Sequence, residues 1–241
     1  MTQTAFLAES EKSKFITKTY LWMGIALLIS AVASFFTAAS VFDGTQLTSF
    51  GRFLYGNSMM GFWILAIAEI ALVFGLSATI RKISLQTATI GFLAYSVLNG
   101  ITLSSIFMIY QIESIALTFV GTAIMFFAMA FYGATTKKNL ATMGRYMMMA
   151  LIGIIVVSLL EFVMARFFRL NTTMLDFLIA IASVVVFTGL TAYDSQKIMK
   201  IAEHSNGSED YQKVSIMAAL EIYLDFINMF LALLRLFGKR K

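Results

Sequence analysis

MLDFLIAIASVVVFTGLTAYDSQKIMKIAEHSNGSEDYQKVSIMAALEIYLDFINMFLALLRL, residues 174–236, reads as two apolar runs on either side of a polar loop, and each run carries an aspartate, Asp194 and Asp225. The midpoint between the two falls at residues 209 to 210, at the end of His204, Ser205, Asn206, Gly207, Ser208, Glu209 and Asp210, the only strongly turn-like stretch after residue 140. Antiparallel helices rise equally per residue on either side of a turn, so a helical hairpin brings both aspartates to one depth. Their carboxyl groups can then face each other if the helices rotate suitably.

Working outward from this hairpin, composition sets the solvent. Of the 241 residues 59% are hydrophobic and the mean hydropathy is +0.83, which leaves too few polar side chains to coat a water-soluble protein. The chain is expected to be an all-α integral membrane protein. Seven segments have spanning length: 20–40, 60–80, 88–110, 115–135, 146–168, 174–193 and 215–236. A membrane β-barrel needs shorter segments of period two, and these runs are continuous. The expected organisation is an amino-terminal segment 1–19, one seven-helix domain 20–238 and a basic tail 239–241. A cleaved signal is disfavoured, because Glu9 and Glu11 precede the first run and the run continues past Ala31, Val32 and Ala33 to Phe42.

Basic residues give the orientation. Eleven collect on one side: Lys12, Lys14, Lys18, Arg81, Lys82, Lys137, Lys138, Arg145, Lys197, Lys200 and Lys213. Arg52, Arg166 and Arg169 lie on the other, so the positive-inside rule makes the amino terminus cytoplasmic. The tail residues Arg235, Lys239, Arg240 and Lys241 then pose a conflict: either the last segment dips in and returns, or a basic tail is tolerated outside. Seven full crossings are expected, since terminal charges have limited power over helices already placed. The net charge of +5 is scattered over loops, which points to topology and anionic-lipid contact and not to nucleic acid.

The spans hold few charges, and each needs a reason, because a charge at the bilayer centre costs about 2.5 to 3.5 kcal/mol on insertion scales. Glu69, in the middle of the second span, has no basic residue within a turn on its own helix, so its partner comes from another helix or it carries a proton. On the last span, Glu221, Asp225, Asn228 and Arg235 fall within about 80° of one another at 100° per residue and form one polar stripe. Asp225 lies about ten residues, or roughly 15 Å, into its helix, too deep for so short a side chain to snorkel. Arg235 reads as a snorkelling anchor, Thr173 with Asp176 as a capping box, and Glu161 with Arg166 as a loose ion pair. With proline absent, Gly75, Gly100 and Gly189 are the candidate hinge or close-packing sites.

Two carboxylates in contact repel strongly in a low dielectric, so the pair tends to share one proton and acts as a pH switch. Losing that proton pushes the helices apart or recruits a cation and water. Carboxylates are also the sensor by elimination, since the sole histidine, His204, lies in the loop. Enzyme chemistry is not expected. There is no buried histidine for a hydrolase triad, no cysteine for a thiolate metal site, no mid-span lysine and no glycine-rich phosphate loop.

LTAYDSQKI around Asp194 and LEIYLDFINMFLALLRLFG around Asp225 resemble the Bax inhibitor family, the transmembrane Bax inhibitor motif proteins. KTYLWMGIAL from Lys18, EIALVFGLS from Glu69, AYSVLNGITLSSIF from Ala94 and FYGATTKKNLATMG from Phe131 agree, so the resemblance covers Lys18 to Gly238. It implies two three-helix layers around a central carboxy-terminal helix, and a hydrogen-bonded pair, Asp194 and Asp225, that senses pH in a calcium leak. It also implies a basic latch at the end of the second helix, for which Arg81 is the nearest candidate.

Ca²⁺ takes roughly 6 to 8 oxygen ligands, and a leak needs them weak. Asp194, Asp225, Glu221 and Glu69 offer a partial, transient shell completed by water, with no tightly bound cofactor expected. Two other readings share these residues: a membrane interaction protein that modulates a partner such as a membrane protease, and a proton-coupled Ca²⁺ exchanger. The expected location is a bacterial inner membrane.

Overall fold

Continuous apolar runs without proline leave the backbone one way to satisfy its polar groups inside a bilayer, and the chain takes it. The structure, a computed structural model, describes residues 3–43, 46–56 and 60–241, except the side chains of residues 3–8 and Phe42. The first two residues of the expected amino-terminal segment lie outside this description. The elements are α1 (Gln3–Val41), β1 (Phe42–Asp43), β2 (Gln46–Leu47), α2 (Ser49–Tyr55), α3 (Met60–Thr79), α4 (Leu85–Leu103), α5 (Ile106–Ile109), α6 (Ile112–Thr135), α7 (Ala141–Phe167), α8 (Thr173–Ala202) and α9 (Glu209–Phe237). Among the described residues, seven helices are long and apolar enough to cross a membrane, the third formed by α4 and α5 together. β1 and β2 form a two-residue antiparallel ladder after the first span.

The helix starts show why the boundaries fall where they do. Ser84 caps α4 by accepting from Thr87 N at 3.1 Å, and Thr48 caps α2 by accepting from Gly51 N at 3.0 Å. The expected capping box at Thr173 and Asp176 is not formed. Asn171 Oδ1 accepts from Thr173 N at 3.1 Å instead, and Asp176 pairs with Arg235 at 3.4 Å. An amide two residues upstream reaches the free N–H, which releases Asp176 for a partner far away in sequence.

The candidates Gly75, Gly100 and Gly189 lie inside α3, α4 and α8, which run unbroken through them. The interruption falls at Ser104 and Ser105, whose hydroxyls donate to Ile101 O at 2.6 Å and Thr102 O at 3.1 Å and tighten the turn between α4 and α5. Gly100 serves close approach. A Cβ there would sit 2.6 Å from Ser30 O, so only glycine lets α4 lie this near α1.

The chain forms two compact units: residues 1–110, 202–223 and 241 in the first, 111–201 and 224–240 in the second. Within the first, α4 packs against α1 and α3. One end is tied by Lys12 with Glu203 at 3.5 Å, Lys18 with Gln212 at 3.2 Å, and Glu209 Oε1, which accepts from Leu85 N at 3.1 Å. At the far end of the 85–109 span, Lys241 N donates to Ile109 O at 2.9 Å and Lys241 Nζ to Phe107 O at 2.7 Å. The chain therefore enters α9 beside the start of α4 and finishes beside the end of α5, so its last segment runs the length of the 85–109 span and does not turn back. Lys241 lies at the end of the first unit opposite Lys12 and Lys18.

Within the second unit, Val186, Phe187, Leu190 and Met229 form a buried cluster against which Met125, Met147, Leu151, Ile154 and Leu233 pack. Phe226 meets Phe119 and Phe126 at centroid separations of 5.2 and 5.5 Å. Helix α9 is the most enclosed span: 67% of its most apolar 18-residue stretch is buried, against none in α7. A helix polar on one stripe and apolar elsewhere must cover that stripe with protein, whereas α7, apolar all round, can face lipid.

Candidate functional site

Both aspartates belong to the second unit, where α8 and the second half of α9 share a buried cluster. Val186, Phe187 and Leu190 of α8 share one buried cluster with Met229 of α9, and Leu233 packs against it. Met229 and Leu233 are the α9 positions that the midpoint between residues 209 and 210 sets opposite Leu190 and Val186, as it sets Asp225 opposite Asp194. Asp194 lies one helical turn beyond Leu190 toward the loop, and Asp225 one turn before Met229, so each continues the stripe that its neighbour buries. Asp225 is 5% exposed and Asp194 is half-buried. Beside them Ser195 is fully buried, and Gln196 holds the preceding loop by accepting from Leu140 N at 2.9 Å and donating to Lys138 O at 2.8 Å. A Cβ on Gly133 would sit 2.0 Å from Ala192 O, so α6 touches the backbone of α8 just ahead of Asp194.

The other expected site residues distribute as follows. Asn228, in the same unit, donates to Leu224 O of its own helix at 2.8 Å. Glu221 is half-buried and belongs to the first unit, as does Arg81, which is exposed in the turn after α3. Arg235 and Asp176 form a partly exposed ion pair at 3.4 Å. Glu161 accepts from Thr172 Oγ1 at 2.6 Å. Among the described residues no three His, Cys, Asp or Glu side chains cluster closely enough to hold a metal ion.

Glu69 finds its partners on α4. Thr102 Oγ1 donates to its Oε1 at 2.5 Å and Asn99 Nδ2 to its Oε2 at 3.1 Å. The chain continues inward: Tyr223 OH donates to Asn99 Oδ1 at 2.9 Å, and Ser30 Oγ lies 2.7 Å from Tyr223 OH. Ser30 has one proton to share among this phenol, Ser96 O at 2.7 Å and Ala26 O at 3.0 Å. Four helices, α1, α3, α4 and α9, are thus joined through one polar chain in the first unit. Reading the sequence found Glu69 but missed Ser30, Asn99, Thr102 and Tyr223. A lone asparagine in the run around Asn99 was the available signal. Tyr223 lies about 200° from Glu221 around the helix, off the polar stripe, where a tyrosine reads as core.

Comparison with known proteins follows the same residues. The family described as "Inhibitor of apoptosis-promoting Bax1" matches residues 12–241. A protein of Borreliella burgdorferi is 44% identical over 231 residues, covering 95% of this chain and 94% of its own. The "Inner membrane protein YbhL" of Escherichia coli is 43% identical over 229 residues, 94% of this chain and 92% of its own. A Lactococcus lactis protein is 35% identical over 225 residues, 93% of this chain and 90% of its own. A match along nearly the whole chain, with seven apolar helices beneath it, places the protein in the Bax inhibitor family of membrane proteins.

Proposed function

We propose that this protein is a passive, pH-sensitive Ca²⁺ leak of a bacterial inner membrane, with its amino terminus cytoplasmic and Asp194 and Asp225 as the gate. The observation that carries the reading is the buried cluster that joins α8 and α9 one turn from the two aspartates: Val186, Phe187 and Leu190 with Met229, and Leu233 packed against them. Carboxyls brought to one depth on facing stripes share a proton when closed. Two carboxylates about 4 Å apart at an effective dielectric of about 20 repel by about 4 kcal/mol, enough to shift a helix pair held by a few side-chain contacts.

On deprotonation the helices separate or admit a cation with its water. Glu221 lies one turn from Asp225 toward the loop and Asn228 nearly one turn the other way, so their oxygens extend a weak path along α9. Glu69 is a further oxygen site on a pathway of this kind, and Arg81 is the candidate latch. Weak, incomplete ligation suits an ion that must leave, so no resident metal is part of this reading.

The test is Ca²⁺ influx into dye-loaded proteoliposomes across about pH 5 to 8, native chain against Asp194→Asn and Asp225→Asn. Downhill flux whose pH profile shifts or vanishes in both variants supports the gate. Flux indifferent to both substitutions sinks it, uphill uptake driven by a pH gradient identifies an exchanger, and absence of flux in folded protein leaves partner binding as the better reading.

A further inference from the structure

In the second unit, α6 and the last turns of α9 flank an open cavity of about 550 Å³. Its interior is apolar, with Met125, Leu233 and Phe237, and Glu113 and Lys239 line it as well. The α6 span begins at Ile112 and the α9 span ends at Phe237, so this acid and this base lie at the level of lipid headgroups. Gly121 lines the cavity about 14 Å further along α6 than Ile112, at acyl-chain depth. Unlike Gly100 and Gly133, it has nothing within 4 Å of where a Cβ would stand. No neighbouring backbone demands a glycine there, and its missing side chain leaves the cavity open.

We propose that this cavity holds an acyl chain of a phospholipid whose headgroup carries both a phosphate and an ammonium group, with the phosphate on Lys239 and the ammonium on Glu113. Charge complementarity selects the headgroup: one base and one acid flank an apolar interior, an arrangement that meets both ends of a zwitterion. A flexible hydrocarbon chain fills a groove of that size.

The experiment is native mass spectrometry of the full chain released from vesicles containing equal amounts of phosphatidylethanolamine, phosphatidylglycerol and phosphatidylcholine. The expected spectrum shows one retained lipid, with phosphatidylethanolamine several-fold above the other two, because its primary ammonium donates hydrogen bonds to Glu113 and the quaternary ammonium of phosphatidylcholine has no N–H. Glu113→Gln removes the preference over phosphatidylglycerol, and Lys239→Gln lowers retention of both about tenfold. Gly121→Leu abolishes retention without lowering the melting temperature, because leucine favours the helix and meets no backbone. Equal retention of all three lipids, retention of none, or a Gly121→Leu chain that keeps its lipid each overturns the proposal. Lipids that merely surround the protein do not respond to a side chain inside the cavity.

Discussion

Replacing Tyr223 with Phe removes a single oxygen from a side chain that is fully buried. The ring keeps its edge-on contacts with Phe92 and Tyr95, both at 5.9 Å between centroids, so packing is preserved. Ser30 loses a neighbour at 2.7 Å but keeps Ser96 O as an acceptor. The cost therefore falls on Asn99 Oδ1, whose donor at 2.9 Å disappears while Asn99 stays 8% exposed. Hydrogen bonds between membrane helices average about 0.6 kcal/mol and reach about 1.7, whereas a buried acceptor stripped of its donor costs about 1–3 kcal/mol. The two ranges overlap at about 1–2 kcal/mol, which is the expected loss of stability. Equilibrium unfolding in mixed micelles, titrated with SDS and followed by circular dichroism, measures it. Asn99→Leu and the double variant complete a cycle in which the double loses less than the sum of the singles by about 0.5 kcal/mol or more. A Tyr223→Phe protein that unfolds with the native chain, or a strictly additive double variant, refutes the connected chain.

Gly133→Val should destabilise by about 1–3 kcal/mol, read by thermal melting in detergent, because its Cβ would stand 2.0 Å from the backbone oxygen of Ala192. Gln196→Leu removes both clamps on the α6–α7 loop, costs about 2 kcal/mol, and should speed tryptic cleavage at Lys137 and Lys138 several-fold in limited proteolysis. Arg235→Gln breaks an ion pair whose side chains are 46% and 34% exposed, so stability should change by less than about 0.5 kcal/mol in the same SDS titration.

The spans were legible because hydrophobic runs set them locally, and the seven segments coincide with the seven observed helices to within a few turns at their ends. The start of the first helix was not. α1 begins at Gln3, ahead of the expected Tyr20, and its leading lysines are engaged by Glu203 and Gln212, partners nearly the whole chain away. The break at Ser104 and Ser105 was hidden for another reason: serine back-bonding ends a helix without the composition change that marks a loop. The packing of α8 on α9 was legible from the turn between them, and the common depth of Asp194 and Asp225 is the arithmetic that this turn implies. The Glu69 chain was not, because the rotation of α1, α4 and α9 decides whether Ser30, Asn99 and Tyr223 meet, and side-chain type alone does not encode it. Asp176 shows the same limit: its local capping role lost to Arg235, a partner set by tertiary packing.

The central claim, that Asp194 and Asp225 face one another at one depth, is open to direct chemistry because the chain has no cysteine of its own. The measurement is oxidation of the Asp194→Cys, Asp225→Cys double variant in membranes, scored by the shift in gel mobility after cleavage of the 203–208 loop. Facing positions lie within the roughly 4.4–6.8 Å between Cα atoms that a disulfide bridges, so the account predicts near-complete linkage, with an Asp194→Cys, Ile222→Cys control staying unlinked. A double variant that remains reduced while the control links, or neither linking under strong oxidation, contradicts it.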